Sequence, residues 1–367
     1  MTRGRFAALP DFPWDSLAPY GDTARSHPDG IVDLSVGTPV DPVPDIVQAA
    51  LAATTDTPGY PATYGTPALR EAAAGWMQRR LGVSGADPAN VLPTIGAKEL
   101  VAWLPMLLGF GPGDTVGIPS LAYPTYDVGA RLAGATPQVI DSTISAGPAR
   151  VAMVWVNSPA NPTGRVLPVG HLRKMVDWAR ERGTILVSDE CYIEFGWDDE
   201  TPPTSILHPD ICGGSHDGLL AVHSLSKRSN LAGYRAGFVT GDAALVRGLL
   251  EVRKHAGMIV PAPVQAAMIA ALDDDAHVEV QRSRYAARRA LLRPALEAAG
   301  FTIEHSNAGL YLWAARGVDC WTTVGWLAER GILVAPGSFY GAAGTRHVRI
   351  GLTASDERIA ASAQRLG

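Results

Sequence analysis

The period of apolar and polar positions changes repeatedly along this chain. Val151-Ala152-Met153-Val154-Trp155-Val156, Thr184-Ile185-Leu186-Val187-Ser188 and Leu219-Leu220-Ala221-Val222-His223 are short apolar runs bounded by turn-forming residues, the pattern of strands buried on both faces. Between and around them lie stretches with helical spacing: Asp45 to Ala53, Ala68 onward, Gly96 toward Gly109, Val169 to Arg182 and Asp242 to about Gly257. Gly113 to Pro119 reads as a turn followed by a strand. Pro261 and Pro263 then break the pattern, which predicts a crossing into a second domain. A long helix from about His277 to Ala299 leads into strands near Phe301–Ile303 and Leu310–Trp313, and the segments Gly331–Tyr340 and His347–Gly351 close that domain. The expected division is an irregular arm at residues 1–40 that also contributes to the small domain, a large domain at 41–257 and a small C-terminal domain at 258–367.

Composition narrows the functions open to such a fold. At 367 residues and 47% hydrophobic content, the chain can bury one large core and a smaller one. A net charge of −5 argues against nucleic acid as a partner, and Arg79-Arg80 and Arg288-Arg289 are expected to be solvated helix faces. Cys191, Cys212 and Cys320 are too few and too scattered for a disulfide framework or a metal site, which points to a reducing compartment. Residues 1–10 lack the apolar core of a signal peptide, and no run approaches the ~20 apolar residues of a membrane span, so a cytoplasmic protein is expected.

The residue that stands out chemically is Lys227. Only four lysines, Lys98, Lys174, Lys227 and Lys254, occur beside a large excess of arginines. A lysine can lose its proton when partly buried and condense with an aldehyde, whereas a guanidinium stays charged. Lys227 follows the Leu219–His223 run, and the carboxyl ends of strands are where open α/β sheets hold ligands. A solvated loop lysine is the plain alternative. Gly96-Ala97-Lys98-Glu99 opens a helix whose first backbone N–H groups could hold an anion. Two prolines and a glycine stiffen Asn157-Ser158-Pro159-Ala160-Asn161-Pro162-Thr163-Gly164, so that an asparagine there can be aimed. Asp189 ends a strand, where it could stay ionised opposite a cation or cap the following turn; Glu190 reads as structural and Cys191 as a small packed side chain. Tyr123 could lie flat on a heteroaromatic ring or simply fill the core. Arg349, on a strand, could grip a carboxylate through two parallel hydrogen bonds or lie at the surface, and Gly37 could admit a ligand close to the backbone or form an ordinary turn.

Ser224-x-Ser226-Lys227 with Arg235 eight residues on, together with Asn157-to-Gly164 and Asp189-x-x-Tyr192, resembles the class I/II aminotransferases, and the likeness extends over nearly the whole chain. The resemblance implies an α/β fold of type I, with a mostly parallel seven-stranded sheet flanked by helices and a smaller α+β domain. It implies pyridoxal 5'-phosphate as cofactor, with Lys227 as the Schiff-base lysine. The phosphate cup would be Ala97, Lys98, Ser224 and Arg235, completed by Tyr60 from the other subunit of a homodimer, and Ser226 would also bind the cofactor. Asp189 would pair with the ring nitrogen, Asn161 and Tyr192 with the phenolic oxygen, and Tyr123 would cover the ring. Gly37, Asn161 and Arg349 would hold the substrate carboxylate.

Taken whole, including Val32–Pro39 and Pro336–Gly341, the chain is most similar to the actinobacterial N-succinyldiaminopimelate aminotransferases of lysine biosynthesis. That implies glutamate as amino donor and N-succinyl-2-amino-6-oxopimelate as acceptor, with ping-pong kinetics. Lys98, Arg25 and Arg165 are candidates for the far end of so long a substrate. Another class I/II aminotransferase, for dicarboxylic or neutral amino acids, would keep every motif, as would a pyridoxal-phosphate-dependent carbon–sulfur lyase. A transcriptional regulator carrying such a module would need a DNA-binding domain, for which the short arm before Asp33 has no room.

Overall fold

The computed structural model describes residues 9–148 and 150–367. Its largest sheet has seven strands in the spatial order Val91–Ile95, Ala236–Gly241, Leu219–Ser224, Ile185–Asp189, Met153–Asn157, Thr115–Ile118 and Thr136–Val139. All neighbours are parallel except Ala236–Gly241, which runs antiparallel to both of its own. Every residue of the three strands Met153–Asn157, Leu219–Ser224 and Ala236–Gly241 is buried, which is why the first two read as apolar runs, whereas Ala236–Gly241, broken by two glycines and a threonine, did not stand out in the sequence.

Alternation along Leu219–Ser224 divides the core in two. Leu219 and Ala221 pack with Trp76, Met175 and Phe238 on one face, while Leu220 and Val222 pack with Leu100, Leu104 and Tyr126 on the other. The smaller layer is a four-stranded antiparallel sheet, Ala335–Pro336, His347–Gly351, Tyr311–Ala315 and Thr302–Glu304, covered by Ala276–Ala298 and Asp356–Leu366.

Three expectations change. The arm is not irregular over its described part. Pro13–Leu17 forms a 3₁₀ turn and Ala18–Arg25 a helix, with Pro13 and Pro19 in first turns, where a missing N–H costs nothing. Tyr20 packs on Trp321 at 5.4 Å, and Val32–Asp33 pairs with Ile332–Leu333. The proline pair after Met258 starts the helix Ala262–Asp273 and is not a domain crossing. Val264, Met268 and Leu272 of that helix pack into the core of the large sheet. The passage to the smaller layer is therefore made by the helix Ala276–Ala298. Arg288 is not solvated: it is buried, bonded in bidentate fashion to Asp41 and also to Asp356. Arg79 and Arg80 bridge to Asp275, Glu194 and Glu279. Among the described residues no helix is long and apolar enough to cross a membrane.

Candidate active site

The strands Met153–Asn157, Ile185–Asp189 and Leu219–Ser224 end side by side on one cavity of about 710 Å³. Lys227 enters it from the single turn Leu225–Arg228, which Ser224 begins by accepting the Ser226 N–H at 3.2 Å. Burial pulls the Lys227 pKa down. The nearby Tyr311 acts the other way, and the Arg349 and Arg235 charges add to the lowering. Its Nζ donates to the carbonyl of Gly37, so the lysine meets the segment Val36–Thr38 across the cavity.

At one end, Ala97 and Lys98 begin the helix Ala97–Leu107, preceded by Gly96 at φ 73°. A Cβ at Gly96 would lie 2.3 Å from Arg235 Nη2, so only glycine lets that guanidinium lie on the start of the helix. Ala97, Lys98, Ser224, Ser226 and Arg235 all line the cavity. A helix start, an arginine and two hydroxyls form a donor set suited to a phosphate.

Further in, Asp189 is held from two sides. Tyr126 donates to Oδ2 at 2.7 Å and the Cys191 N–H to Oδ1 at 3.1 Å. Burial and then the Asp189 charge push the Tyr126 phenol up, so it stays a donor. Tyr126 stacks on Trp155 at 4.9 Å and meets Tyr123 edge-on at 6.0 Å. Asn157 fixes the rigid loop, accepting the Asn161 N–H at 2.7 Å and donating to the carbonyls of Pro159 and Asp189.

The other end is built on Arg349, 3% exposed. Its Nη1 donates to Asn161 Oδ1 at 2.9 Å and its Nη2 to the Ser35 carbonyl at 2.6 Å, while Nε has no partner among the described residues. The guanidinium lies 3.9 Å over the ring of Tyr311, whose hydroxyl is 3.1 Å from that of Tyr192. A Cβ at Gly37 would fall 2.0 Å from the Tyr311 hydroxyl, which accounts for the glycine. Burial and the Tyr311 hydroxyl push Tyr192 up. In Tyr311, burial acts upward too but is outweighed by the Arg349 and Lys227 charges, leaving it below its usual value.

The expected cofactor and substrate-carboxylate residues all line this cavity except Tyr60, which is fully exposed on the protomer. Arg25 does not reach it and pairs with Asp22 on the surface. Arg165 is exposed and is likewise not on its wall, whereas Lys98 is, with Nζ 5.7 Å from the Phe12 ring. Four residues were missed by the sequence. Tyr126 is one helical turn from Tyr123, a spacing that could have marked it. Tyr311, Phe12 and Trp14 carried no such signal, because they come to the cavity from the smaller layer and the N-terminal segment.

The aminotransferase class I and II family model matches residues 29–366. A 4-dedimethylamino-4-oxo-anhydrotetracycline transaminase of Streptomyces rimosus is 65% identical over 358 residues, 98% of this chain and 99% of its own. A "probable aminotransferase" of Mycobacterium tuberculosis is 62% identical, covering 99% of this chain and 86% of its own. An LL-diaminopimelate aminotransferase of Aquifex aeolicus is 35% identical, with 92% and 90% covered. Among solved structures, an aminotransferase from Mycobacterium tuberculosis superposes with a TM-score of 0.89 at 27% identity, covering 100% of this chain and 97% of its own. A "probable N-succinyldiaminopimelate aminotransferase" from Thermus thermophilus gives 0.86 at 29%, with 97% and 99% covered.

Proposed function

The chain belongs to the class I and II aminotransferases, and on that premise we propose that it moves an amino group from L-glutamate to N-succinyl-2-amino-6-oxopimelate in two half-reactions at one site. Enzymes of this family act on amino acids and oxo acids and depend on pyridoxal 5'-phosphate. When bound, that group supplies an aldehyde for reaction with amines and a ring that draws electrons from the substrate α-carbon. The residues present fit it: the Gly96 position, where a Cβ would strike Arg235, keeps a phosphate-sized donor set clear of side chains.

In this reading Ala97, Lys98, Ser224, Ser226 and Arg235 hold the phosphate and Tyr123 covers the ring. Asp189, oriented by Tyr126, pairs with the ring nitrogen, and Asn161 and Tyr192 bond the phenolic oxygen. Lys227, with its proton affinity reduced by burial, would be the amine that meets the aldehyde carbon. The same Nζ would be the group placed to take a proton from the substrate α-carbon.

Arg349 carries the substrate class. It is a buried cation whose bonded partners are the neutral oxygens of Asn161 and Ser35, with no carboxylate among its described partners. An unpaired buried charge is costly, so the pocket is arranged for an anion to complete it, as an α-carboxylate would. Lys98, Lys227 and Arg235 are further cationic side chains on the cavity wall, so the site as a whole suits anionic ligands. Glutamate and the proposed acceptor both bring a remote carboxylate, and two half-reactions at one site require that both be accepted. The Aquifex and Thermus relatives, named for diaminopimelate substrates, support this acceptor.

A second reading follows from the 65% identity to the Streptomyces rimosus transaminase, whose named substrate is a fused-ring ketone. Phe12, Trp14 and Tyr123 on the cavity wall could stack on such rings. One experiment separates the two. Glutamate is expected to bleach the visible band of the purified holoenzyme, and N-succinyl-2-amino-6-oxopimelate to restore it. Restoration by fused-ring ketones alone would remove the proposed acceptor while leaving the aminotransferase in place.

A further inference from the structure

Behind the site, on the opposite face of the sheet, lies a second and much smaller cavity, with about 10 Å³ open to the centre of a water-sized sphere. Trp76, Glu190, Glu194, His223, Ser224 and Arg228 are on its wall. Four of these side chains leave buried polar atoms with no partner among the described residues: Trp76 Nε1, Glu190 Oε2, both His223 ring nitrogens and Arg228 Nη2. Each of the four is 4% exposed or less. Unpaired buried polar atoms are rare and costly, so several around one void require a common explanation.

Direct bonding does not provide it. Glu190 Oε2 and His223 Nε2 are 3.7 Å apart, beyond a hydrogen bond. The rest of the Arg228 guanidinium is already engaged by Glu194, Ser229 and the Ala271 carbonyl. Counting donors and acceptors identifies the missing partner. Arg228 Nη2 and Trp76 Nε1 can only donate, Glu190 Oε2 accepts when ionised, and burial keeps His223 a neutral imidazole with one donating and one accepting nitrogen. Two of the three donors and both acceptors match the full complement of one water molecule, for which the void has room, and the third donor is left without a partner among the described residues.

We infer that this cavity holds a single ordered water bound by Trp76, Glu190, His223 and Arg228, and that through it Glu190 and His223 act as positioning residues for the active site. Glu190 follows Asp189, and His223 precedes Ser224; Asp189 and Val222 are register partners, so Glu190 and His223 stand side by side. Strand alternation sends Asp189 and Ser224 into the large cavity and the other two to its rear. A water tying Glu190 to His223 thus fixes two adjacent strand ends against each other. The positioning role presumes that Asp189 and Ser224 hold the cofactor, whereas the water does not depend on that.

A crystal structure of the holoenzyme at a resolution that shows solvent decides the first half. One density peak within hydrogen-bond distance of at least three of the four side chains is expected. An empty void, or a direct Glu190–His223 bond that closes it, would overturn the inference. Titration of the apo-protein with pyridoxal 5'-phosphate decides the second half. Glu190→Gln, which still bonds water, is expected to bind within about twofold of wild type. Glu190→Leu, which leaves the other three groups unpaired, is expected to bind on the order of tenfold more weakly. Trp76→Phe removes one donor with little change of shape and is expected to weaken binding severalfold, giving a second measurement if the leucine variant does not fold. Wild-type affinity in every folded variant that lacks a water ligand would leave the water without a positioning role.

Discussion

Arg349 and Lys227 work through burial, which makes each sensitive to small chemical change. Lysine at position 349 would keep the charge but not the planar fork that bonds Asn161 and Ser35 at once, nor the stacking on Tyr311. Arg349→Lys is therefore expected to raise the KM for glutamate by on the order of 30-fold, the worth of about 2 kcal/mol of charge-assisted bonding. An unchanged KM in steady-state assays would place the carboxylate elsewhere. Glu190 and His223 bear on stability in opposite senses. Burial raises the Glu190 pKa from 4.5 to about 7, against the hydrogen bond from the Ile206 N–H, and the Asp189 charge also acts upward. The fold thus holds that proton more tightly than the unfolded chain, and this contribution is lost as pH rises from about 4.5 through about 7. His223 is lowered from 6.5 to about 3 by burial and by Arg228, so its contribution is lost as pH falls through that range. The two oppose each other where the windows overlap. Glu190→Gln removes only the first, so the variant is expected to gain in melting temperature relative to wild type between pH 5 and pH 8. A pH-independent difference would show that Glu190 titrates normally.

At the scale of the elements, the site depends on where strands stop and helices begin. Gly96 at φ 73° sets the helix Ala97–Leu107 directly under Arg235. Alanine there costs roughly 1–2 kcal/mol in backbone strain and displaces the guanidinium. Gly96→Ala is expected to fold with a lowered melting temperature and to bind pyridoxal 5'-phosphate at least tenfold more weakly; full affinity by fluorescence titration of the apo-protein would show that the two residues do not form a phosphate site. The central strands were legible because burial on both faces leaves unbroken apolar runs, and Asn157–Gly164 because its prolines fix a loop. The helix Ala18–Arg25 was not legible, since its prolines lie in permitted first-turn positions and its burial depends on Trp321, some 300 residues away. The helix Ala262–Asp273 was misplaced for a similar reason. Its prolines read as a break, and only packing shows which core it joins.

For the molecule as a whole, the fully exposed Tyr60 is consistent with a role in the cavity of a second copy, the arrangement proposed from the family resemblance. A dimer is expected in sedimentation, and Tyr60→Phe is expected to weaken cofactor binding without dissociating it. A monomer of full activity would make Tyr60 an ordinary surface residue. The sequence by itself determined the family, the fold class and the apolar central strands that end at Asn157, Asp189 and Ser224, because burial periodicity and local turn chemistry are written within a few residues. The tertiary structure alone decided which side chains share a cavity. Tyr311 reached Arg349, Trp14 reached the substrate end, and Glu190 turned away from Asp189 toward His223, because strand alternation and layer packing join residues whose sequence separation carries no periodic trace.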